Sequence, residues 1–383
     1  MSTRFPTSEA LAASGVFLIC WGLVHTWFWG HGQIVDWPTY RGYGQAIVDH
    51  GQVPYRDFAV EYPPGALPVF VVPTPFADYA GAFAWTMAIC GVALVGAVAA
   101  VRREAAWYVA LAPVLVGSLI LSRFDLWPSL LVVAALAALL ADRHRLGWAL
   151  LGAAVAAKVW PLVVVPIALV WSIRRGRAAS VLAGVIVVVA AFLPFVVLSP
   201  GGVWDSVSGQ ASRPLQIESL GAAFLTTFGH PRVVTTHGSQ NVAGHGGVGG
   251  VSAAFGAVAV AALWIAFARG PATRERVVRY SAAAVVAFVA FGKVLSPQYL
   301  LWLIPLVPLV RGARGVAATL LLTVACVLTQ VWFPFRYWQY VNGFHLAWVV
   351  LLRDLLFVAL LAVLAWPEGL RGRELVSGFD AEG

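Results

Sequence analysis

An all-α integral membrane protein, a helical bundle of about twelve spans with short membrane-surface helices in its first outer loop, is the fold this sequence predicts. Sixty per cent of the 383 residues are apolar and only 11% are charged. A water-soluble fold could not hide that much apolar surface. The apolar stretches are long and do not alternate with polar residues. That selects helices over barrel strands, because a helix satisfies its own backbone where no water reaches it. The basic residues fall in short clusters between these stretches, where they read as topology signals.

Taken in order, the apolar runs lie at roughly 11–30, 79–101, 105–121, 126–141, 146–157, 160–173, 178–198, 251–268, 277–291, 297–310, 315–331 and 346–366. No small-residue cleavage site follows the first run, so it reads as a retained span with a cytoplasmic N-terminus. Alternation through twelve spans then places 16 of the 25 basic residues inside, among them Arg102, Arg103, Arg143, Arg145, Arg174, Arg175, Arg177 and the Arg269–Arg279 cluster. Eight fall outside: Arg41, Arg56, Arg123, Lys158, Arg213, Arg232, Lys293 and Arg336. This positive-inside bias also settles the stretch 146–173. As a single span it would invert everything after it, so two short spans breaking near Lys158 are expected.

The whole chain, 1–383, reads as one transmembrane domain with two long outer loops, 32–78 and 199–250. The second holds the glycine-rich run Gly238–Gly250, which is expected to be mobile. Cys20, Cys90 and Cys326 lie in apolar runs with no paired spacing, so no disulfide framework is expected. His230, His237 and His245 lack tight ligand spacing and read as surface histidines, so no metal is expected. The net charge of +8 is dispersed among loops and does not form a nucleic-acid face. No phosphate-cradling Gly-rich loop precedes a lysine and Ser/Thr, so ATP-driven chemistry is unsupported.

The first outer loop carries Asp36, then Trp37, Pro38, Tyr40, Ile47 and Val48 at near-helical spacing and Gly51 at the end, a short amphipathic helix on the membrane surface. Asp36 has a structural reading as the cap of that helix. It has a chemical reading as one of three acids, with Asp57 and Glu61, gathered at the membrane surface, where a raised proton affinity suits a general base. Pairing with Arg56 or Arg41 is the competing account of Asp57 and Glu61.

Further outer turns add Ser122-Arg-Phe-Asp125, Ala157-Lys-Val-Trp-Pro161 and Gly292-Lys-Val-Leu-Ser-Pro-Gln-Tyr299. Lys158 and Lys293 are the only lysines of the chain, and both stand at outer helix ends. Cations at that depth suit a lipid-linked phosphate, and Arg123 can offer a fork of donors to its oxygens. The structural alternative is an Arg123–Asp125 pair and helix-end capping by the lysines. In the second long loop, Arg213 leads into Gln216 and Glu218, which can hydrogen-bond sugar hydroxyls, with Trp204 as a stacking face, or simply open a re-entrant helix.

Together, Asp36, the stretch Gly51-Gln-Val-Pro-Tyr-Arg-Asp-Phe-Ala-Val-Glu-Tyr-Pro-Pro64, Arg123-Phe-Asp125, Lys158-Val-Trp-Pro161, Arg213-Pro-Leu-Gln-Ile-Glu-Ser219 and Lys293-Val-Leu-Ser-Pro-Gln-Tyr299 resemble glycosyltransferase family 87. That family belongs to the C-type superfamily of integral membrane glycosyltransferases and includes actinobacterial mannosyltransferases. The resemblance runs from about residue 11 to 310, and its specificity lies in the order of the motifs and their place at outer helix ends.

The resemblance implies a polyprenyl-phosphate-linked sugar donor, often mannose, and transfer to a lipid or glycan acceptor at the extracytoplasmic face of the cell membrane, without a cofactor. It implies Asp36 as the base that activates the acceptor hydroxyl for an inverting attack, with Asp57 and Glu61 positioning the acceptor or supporting the base. Arg123, Lys158 and Lys293 hold the donor phosphate in this picture, and Arg56, Tyr62, Asp125, Arg213, Gln216, Glu218 and Gln298 complete the substrate-binding set. The superfamily often carries two adjacent acids at the start of this loop. Here Trp37 follows Asp36, so the base lies with Asp36 or Asp57.

A transporter or flippase of lipid-linked sugars is the rival class, and it predicts charges near the midplane and a repeat between halves. Nearly all charges here lie at helix ends and no repeat is visible; Arg353-Asp354 in the last run is the exception. A polymerase or ligase moving a whole lipid-linked glycan would use the same outer surface.

Overall fold

The computed structural model describes residues 7–31 and 34–366. The described residues begin with α1 (Thr7–His31), followed by α2 (Trp37–Val48) and α3 (Leu67–Val71), then α4 (Tyr79–Val101). Three short helices follow, α5 (Arg103–Ala110), α6 (Ala112–Val116) and α7 (Leu119–Ser122), and lead into α8 (Leu126–Leu140), α9 (His144–Ala157), α10 (Val165–Arg174) and α11 (Val181–Leu198). The second long loop holds α12 (Pro200–Ala211), α13 (Leu220–Phe228) and an antiparallel hairpin, β1 (Val233–Thr236) with β2 (Ser239–Val242). The rest is α14 (Gly246–Arg269), α15 (Arg274–Ala290), α16 (Leu300–Leu303), α17 (Gly312–Trp332), α18 (Tyr337–Gly343) and α19 (Ala347–Ala365).

Among the described residues six helices are long and apolar enough to cross a bilayer: Ser8–His31, Tyr79–Val101, Ala178–Leu198, Gly246–Arg269, Gly312–Trp332 and Ala347–Ala365. The other six runs expected from the sequence are helical too, but they are short or broken. The run 105–121 divides into α5, α6 and α7, with Pro113 at the start of α6 and Gly117 at φ +58° ending it. Prolines also open the turns around 160 and 297, where a missing N–H costs least. Breaks inside an apolar bundle leave carbonyls that need donors, and side chains supply them. Gln330 Nε2 donates to Val114 O at 2.6 Å, Ser129 Oγ to Leu301 O at 3.0 Å and Trp264 Nε1 to Val163 O at 2.8 Å.

The centre is built on α4, α8 and α15, whose small and branched residues are mostly buried. By contrast, the helix over Ala178–Leu198 is almost wholly unburied within the protein, with Gly184 the one buried residue of α11, so its apolar surface is left for lipid. That helix touches α9 through Gly152 and Gly184. A Cβ on Gly152 would stand 2.4 Å from Gly184 O, so only small residues permit this approach.

Polar contacts sort the helix ends into two groups. At one end Arg102 reaches Pro308 O at 2.8 Å, Arg175 pairs with Asp142 at 2.8 Å and Arg174 binds the carbonyls of Ala268 and Gly270. At the other end Ser199 reaches Tyr55 O at 3.0 Å, Gln210 reaches Glu61 O at 2.9 Å and Lys293 reaches Ala211 O at 2.7 Å.

The run Gly238–Gly250, expected to be mobile, is instead folded into β2 and the first turn of α14. Gly238 and Gly244 supply the positive φ its turns require. Asn241, fully buried, donates to Thr236 O at 2.8 Å and Ser239 O at 3.1 Å, and Val242 N donates to Leu215 O at 2.8 Å. Side-chain closure of that kind is invisible to a reading by composition.

Candidate functional site

Asp36 stands at the N-cap position of α2, but its side chain makes no capping hydrogen bond. Its Oδ2 instead pairs with Arg123 Nη1 and accepts from Tyr40 Oη at 3.4 Å. Among the described residues Oδ1 takes no hydrogen bond. Arg123 is 6% exposed, lies in the turn between α7 and α8, and also donates to Ile34 O at 3.3 Å. Burial pulls its guanidinium down to about 10, which leaves it charged. The carboxylate therefore faces outward from a buried cation that fixes its direction.

Asp125 does not pair with Arg123. Its Oδ1 accepts from Lys158 Nζ at 2.6 Å and from Trp302 Nε1 at 2.6 Å, while Oδ2 is buried with no hydrogen-bond partner. Lys158 terminates α9 and reaches back under the site with its ammonium 4.4 Å from the centre of the Phe124 ring, 5.3 Å from that of Trp302 and 5.8 Å from that of Tyr62. Burial lowers the proton affinity of this amine, the Asp125 carboxylate raises it, and the charges of Arg123 and Arg213 lower it further. The charges of Arg123 and Arg213 thus both reach Lys158.

The segment from Arg213 to Ser219 closes the site from the second loop. Arg213 donates to Ser239 Oγ at 3.1 Å, and its Nε is buried without a partner. Gln216 Nε2 donates to Ser296 Oγ at 2.8 Å, and its backbone N–H donates to Lys293 O at 2.9 Å. Glu218 is 2% exposed, its Oε2 has no hydrogen-bond partner, and burial pushes its carboxyl up to about 7 against the pull of Arg353. Tyr299 lies within electrostatic reach of Arg213, Asp125 and Glu218.

Asp57 and Glu61 occupy different ground. Arg56 holds Asp57 through two hydrogen bonds of 2.8 and 2.9 Å, and Val53 N–H adds a third at 2.8 Å. These donors keep the Asp57 carboxyl at about 2. It is a committed acceptor and a poor base. Glu61 is exposed, its backbone tied to Tyr43 and Gln210. Both acids border an open cavity of about 430 Å³ that Asp205, Ser206, Gln210, Arg213 and His237 also line.

Of the residues singled out from the sequence, Asp36, Tyr62, Arg123, Asp125, Lys158, Arg213, Gln216 and Glu218 therefore gather around one buried polar cluster. Arg56, Asp57 and Glu61 line the adjoining cavity. Lys293 spends its ammonium on Ala211 O, anchoring the second loop, and Gln298 sits half-buried in the turn before α16. Tyr40, Ser296, Tyr299, Trp302, Tyr337 and Arg353 belong to the cluster and were not identified as site residues from the sequence. Tyr40 signals only as part of the amphipathic pattern after Asp36, Ser296 and Tyr299 only as members of the Lys293–Tyr299 motif, and Trp302, Tyr337 and Arg353 only as polar or aromatic residues inside or beside apolar runs. Among the described residues no three His, Cys, Asp or Glu side chains are grouped to hold a metal ion.

The chemistry on offer is a cluster of fixed cations with orphaned donors and acceptors, of which Arg213 also lines the adjoining cavity. Buried polar atoms are normally satisfied, yet Arg123 Nε, Arg213 Nε, Asp125 Oδ2 and Glu218 Oε2 are not. Anionic oxygens are the partners the two guanidinium nitrogens lack, and hydroxyls the partners the two carboxylate oxygens lack. The family model described as glycosyltransferase family 87 matches residues 60–297, more than half of the chain. No curated protein matches it.

Proposed function

Because the chain belongs to glycosyltransferase family 87, we propose that it moves a hexose, mannose first among the candidates, from a polyprenyl-phosphate donor to a lipid or glycan acceptor. Transfer takes place at the extracytoplasmic face of the cell membrane and serves cell-envelope glycolipid or lipoglycan synthesis. The observation that carries this reading is the trio of buried Arg123 with half-buried Lys158 and Arg213, set close to a half-exposed Asp36 and, through Arg213, to the adjoining cavity.

In the proposed reaction Asp36 takes the proton of the acceptor hydroxyl as that oxygen attacks the anomeric carbon. The bond from the anomeric carbon to the phosphate oxygen breaks, the configuration inverts and polyprenyl phosphate leaves. Arg123 and Lys158, with Arg213 in place of the committed Lys293, neutralise the charge that grows on the leaving phosphate. Asp125 keeps Lys158 charged in a buried site, and Gln216 and Glu218 meet sugar hydroxyls. Asp57 and Glu61 line the acceptor side. Arg56 holds Asp57 in place.

The same proposal reads twelve passes, with α1 entering from the cytoplasm. The segregation of polar contacts between the two groups of helix ends supports it, since each group joins loops that alternation assigns to one side. Arg353-Asp354, the feature that favoured a transporter, finds a place in this site because Arg353 reaches Glu218.

Purified protein supplied with labelled polyprenyl-phosphate-mannose and membrane lipid or glycan acceptors should form a labelled glycoside. Transfer from none of a panel of polyprenyl-phosphate hexoses, or uptake and flipping in proteoliposomes with no glycoside formed, overturns the reading.

A further inference from the structure

The final hairpin of the bundle, α17 to α19, lies beyond the matched residues, yet it touches the site from below. Arg353 and Asp354, both 0% exposed, sit in the second turn of α19. A charge inside a span is costly and needs a use. The two are in contact at 2.7 Å, but neither Asp354 oxygen is aligned as a hydrogen-bond acceptor. The bond Arg353 does make is longer in reach: Nη2 donates to Glu218 O at 2.8 Å, with the guanidinium flanked by the rings of Trp332 at 5.5 Å and Phe357 at 5.6 Å. From α18, Tyr340 Oη donates to Ile217 O at 2.6 Å. Two side chains of the hairpin thus clamp the backbone of consecutive residues of the site segment.

We propose that Arg353 is a positioning residue for the reaction: from inside the last span it holds the Glu218 backbone and sets a buried positive charge beside the Glu218 carboxyl, so that Glu218 enters the reaction ionised and accepts a hydroxyl of the donor sugar. The last step rests on the transferase reading; the hold of Arg353 on Glu218 does not. The groups facing the Glu218 carboxyl are Arg353 and Asp354 from α19, Tyr337 and Tyr340 from α18, Arg123 from the turn before α8, Tyr299 beside α16 and Gln216 on its own segment. Among these, Arg353 is the cation whose charge opposes desolvation of Glu218 most strongly. Tyr337 and Gln216 both lie within hydrogen-bonding reach of the carboxyl, and its buried Oε2 is left without a partner.

The test uses the full-length protein in lipid nanodiscs. An infrared titration follows the carboxyl band that disappears in Glu218→Gln. Removing the charge in Arg353→Met should move the midpoint of that band upward by at least about one pH unit, a tenfold change in proton affinity. Arg353→Lys should restore most of it. Asp354→Asn should move it downward, and this opposite sign is one that a merely structural role does not produce; it also decides the matter if Arg353→Met does not fold. With polyprenyl-phosphate-mannose as donor, the acid limb of kcat/KM should move with the band in each variant. A midpoint unmoved in folded variants overturns the proposal, as does a moved midpoint with an unmoved acid limb. Absence of transfer from every donor would sink the transferase reading, and the band would still judge Arg353.

Discussion

The Asp36 carboxylate rests on the Arg123 guanidinium, a half-exposed acid held by a buried cation across two segments that are distant in sequence. Asp57, twenty-one residues on, is held just as firmly, but by its own neighbour Arg56 and the Val53 amide. The two acids that the sequence left equivalent therefore differ in kind. One keeps an oxygen free beside the buried cluster, and the other has both oxygens spent.

Replacing Asp36 by Asn should lower kcat by about 10²- to 10⁴-fold, the usual share of a general base, with unchanged thermal stability as the control for folding. Asp57→Asn should cost no more than about fivefold, because what it removes is an exposed ion pair. Initial rates of glycoside formation decide between them. Full activity in both variants would remove the acid-base mechanism, and a larger loss at Asp57 would reverse the assignment.

Lys158 and Asp125 form a buried pair whose members depend on one another. Lys158→Met strands the Asp125 carboxylate, and Asp125→Asn strands the ammonium. Each single change should destabilise the protein by about 3–5 kcal/mol, the scale for breaking a buried ion pair from one side. The double variant should recover much of that loss in thermal unfolding, since no charge is left stranded. It should not recover transfer, because the phosphate has lost a cation. A double variant as active as the native protein would mean that Lys158 serves the fold alone.

Glu218 makes stability depend on pH in a defined direction. Its carboxyl is raised in the folded state from 4.5 to about 7, so between those values the folded protein binds more protons than the unfolded chain. Stability must then fall as pH rises through that window, by a total on the order of 3 kcal/mol. Below about pH 4.5 both states are protonated and this contribution is constant. Glu218→Gln cannot ionise, so the variant should match the native protein in acid and exceed it in stability above pH 7. Parallel unfolding curves at every pH would contradict this account of Glu218.

What was legible in the sequence followed from length and spacing. A run such as 79–101 is long enough to register as a span by itself, and α4 occupies those residues. The run 105–121 was equally apolar, but Pro113 and a left-handed Gly117 break it, and backbone geometry of that sort leaves little trace in hydropathy. The motifs at Arg123, Lys158 and Glu218 stood out because polar residues at helix ends contrast with apolar neighbours. Their pairing did not. Whether Arg123 takes Asp125 or Asp36 depends on how α2 lies against the turn before α8, a matter of tertiary packing. Arg353 was visible as a misplaced charge, but its partner, Glu218 O, lies 135 residues away.

The stretch 144–174 carries the sharpest test of topology, because its reading controls every loop that follows. As one continuous helix it would span the bilayer once. The structure instead ends α9 at Ala157, turns at Lys158 and resumes through a 3-10 turn at Trp160–Val164 into α10. Arg145 and Arg177, both exposed, bracket this unit. If α9 and α10 are two passes, the two arginines lie on the same side; if they are one, they lie on opposite sides. Cys20, Cys90 and Cys326 are buried, so the native background for thiol labelling is low. Arg145→Cys and Arg177→Cys should therefore both resist a membrane-impermeant maleimide in intact cells and both react after permeabilisation. Asp205→Cys, beyond α11 and exposed, should react without it. Labelling of only one of the two arginine variants from outside would place Lys158 mid-membrane and detach it from the face where the proposed transfer occurs.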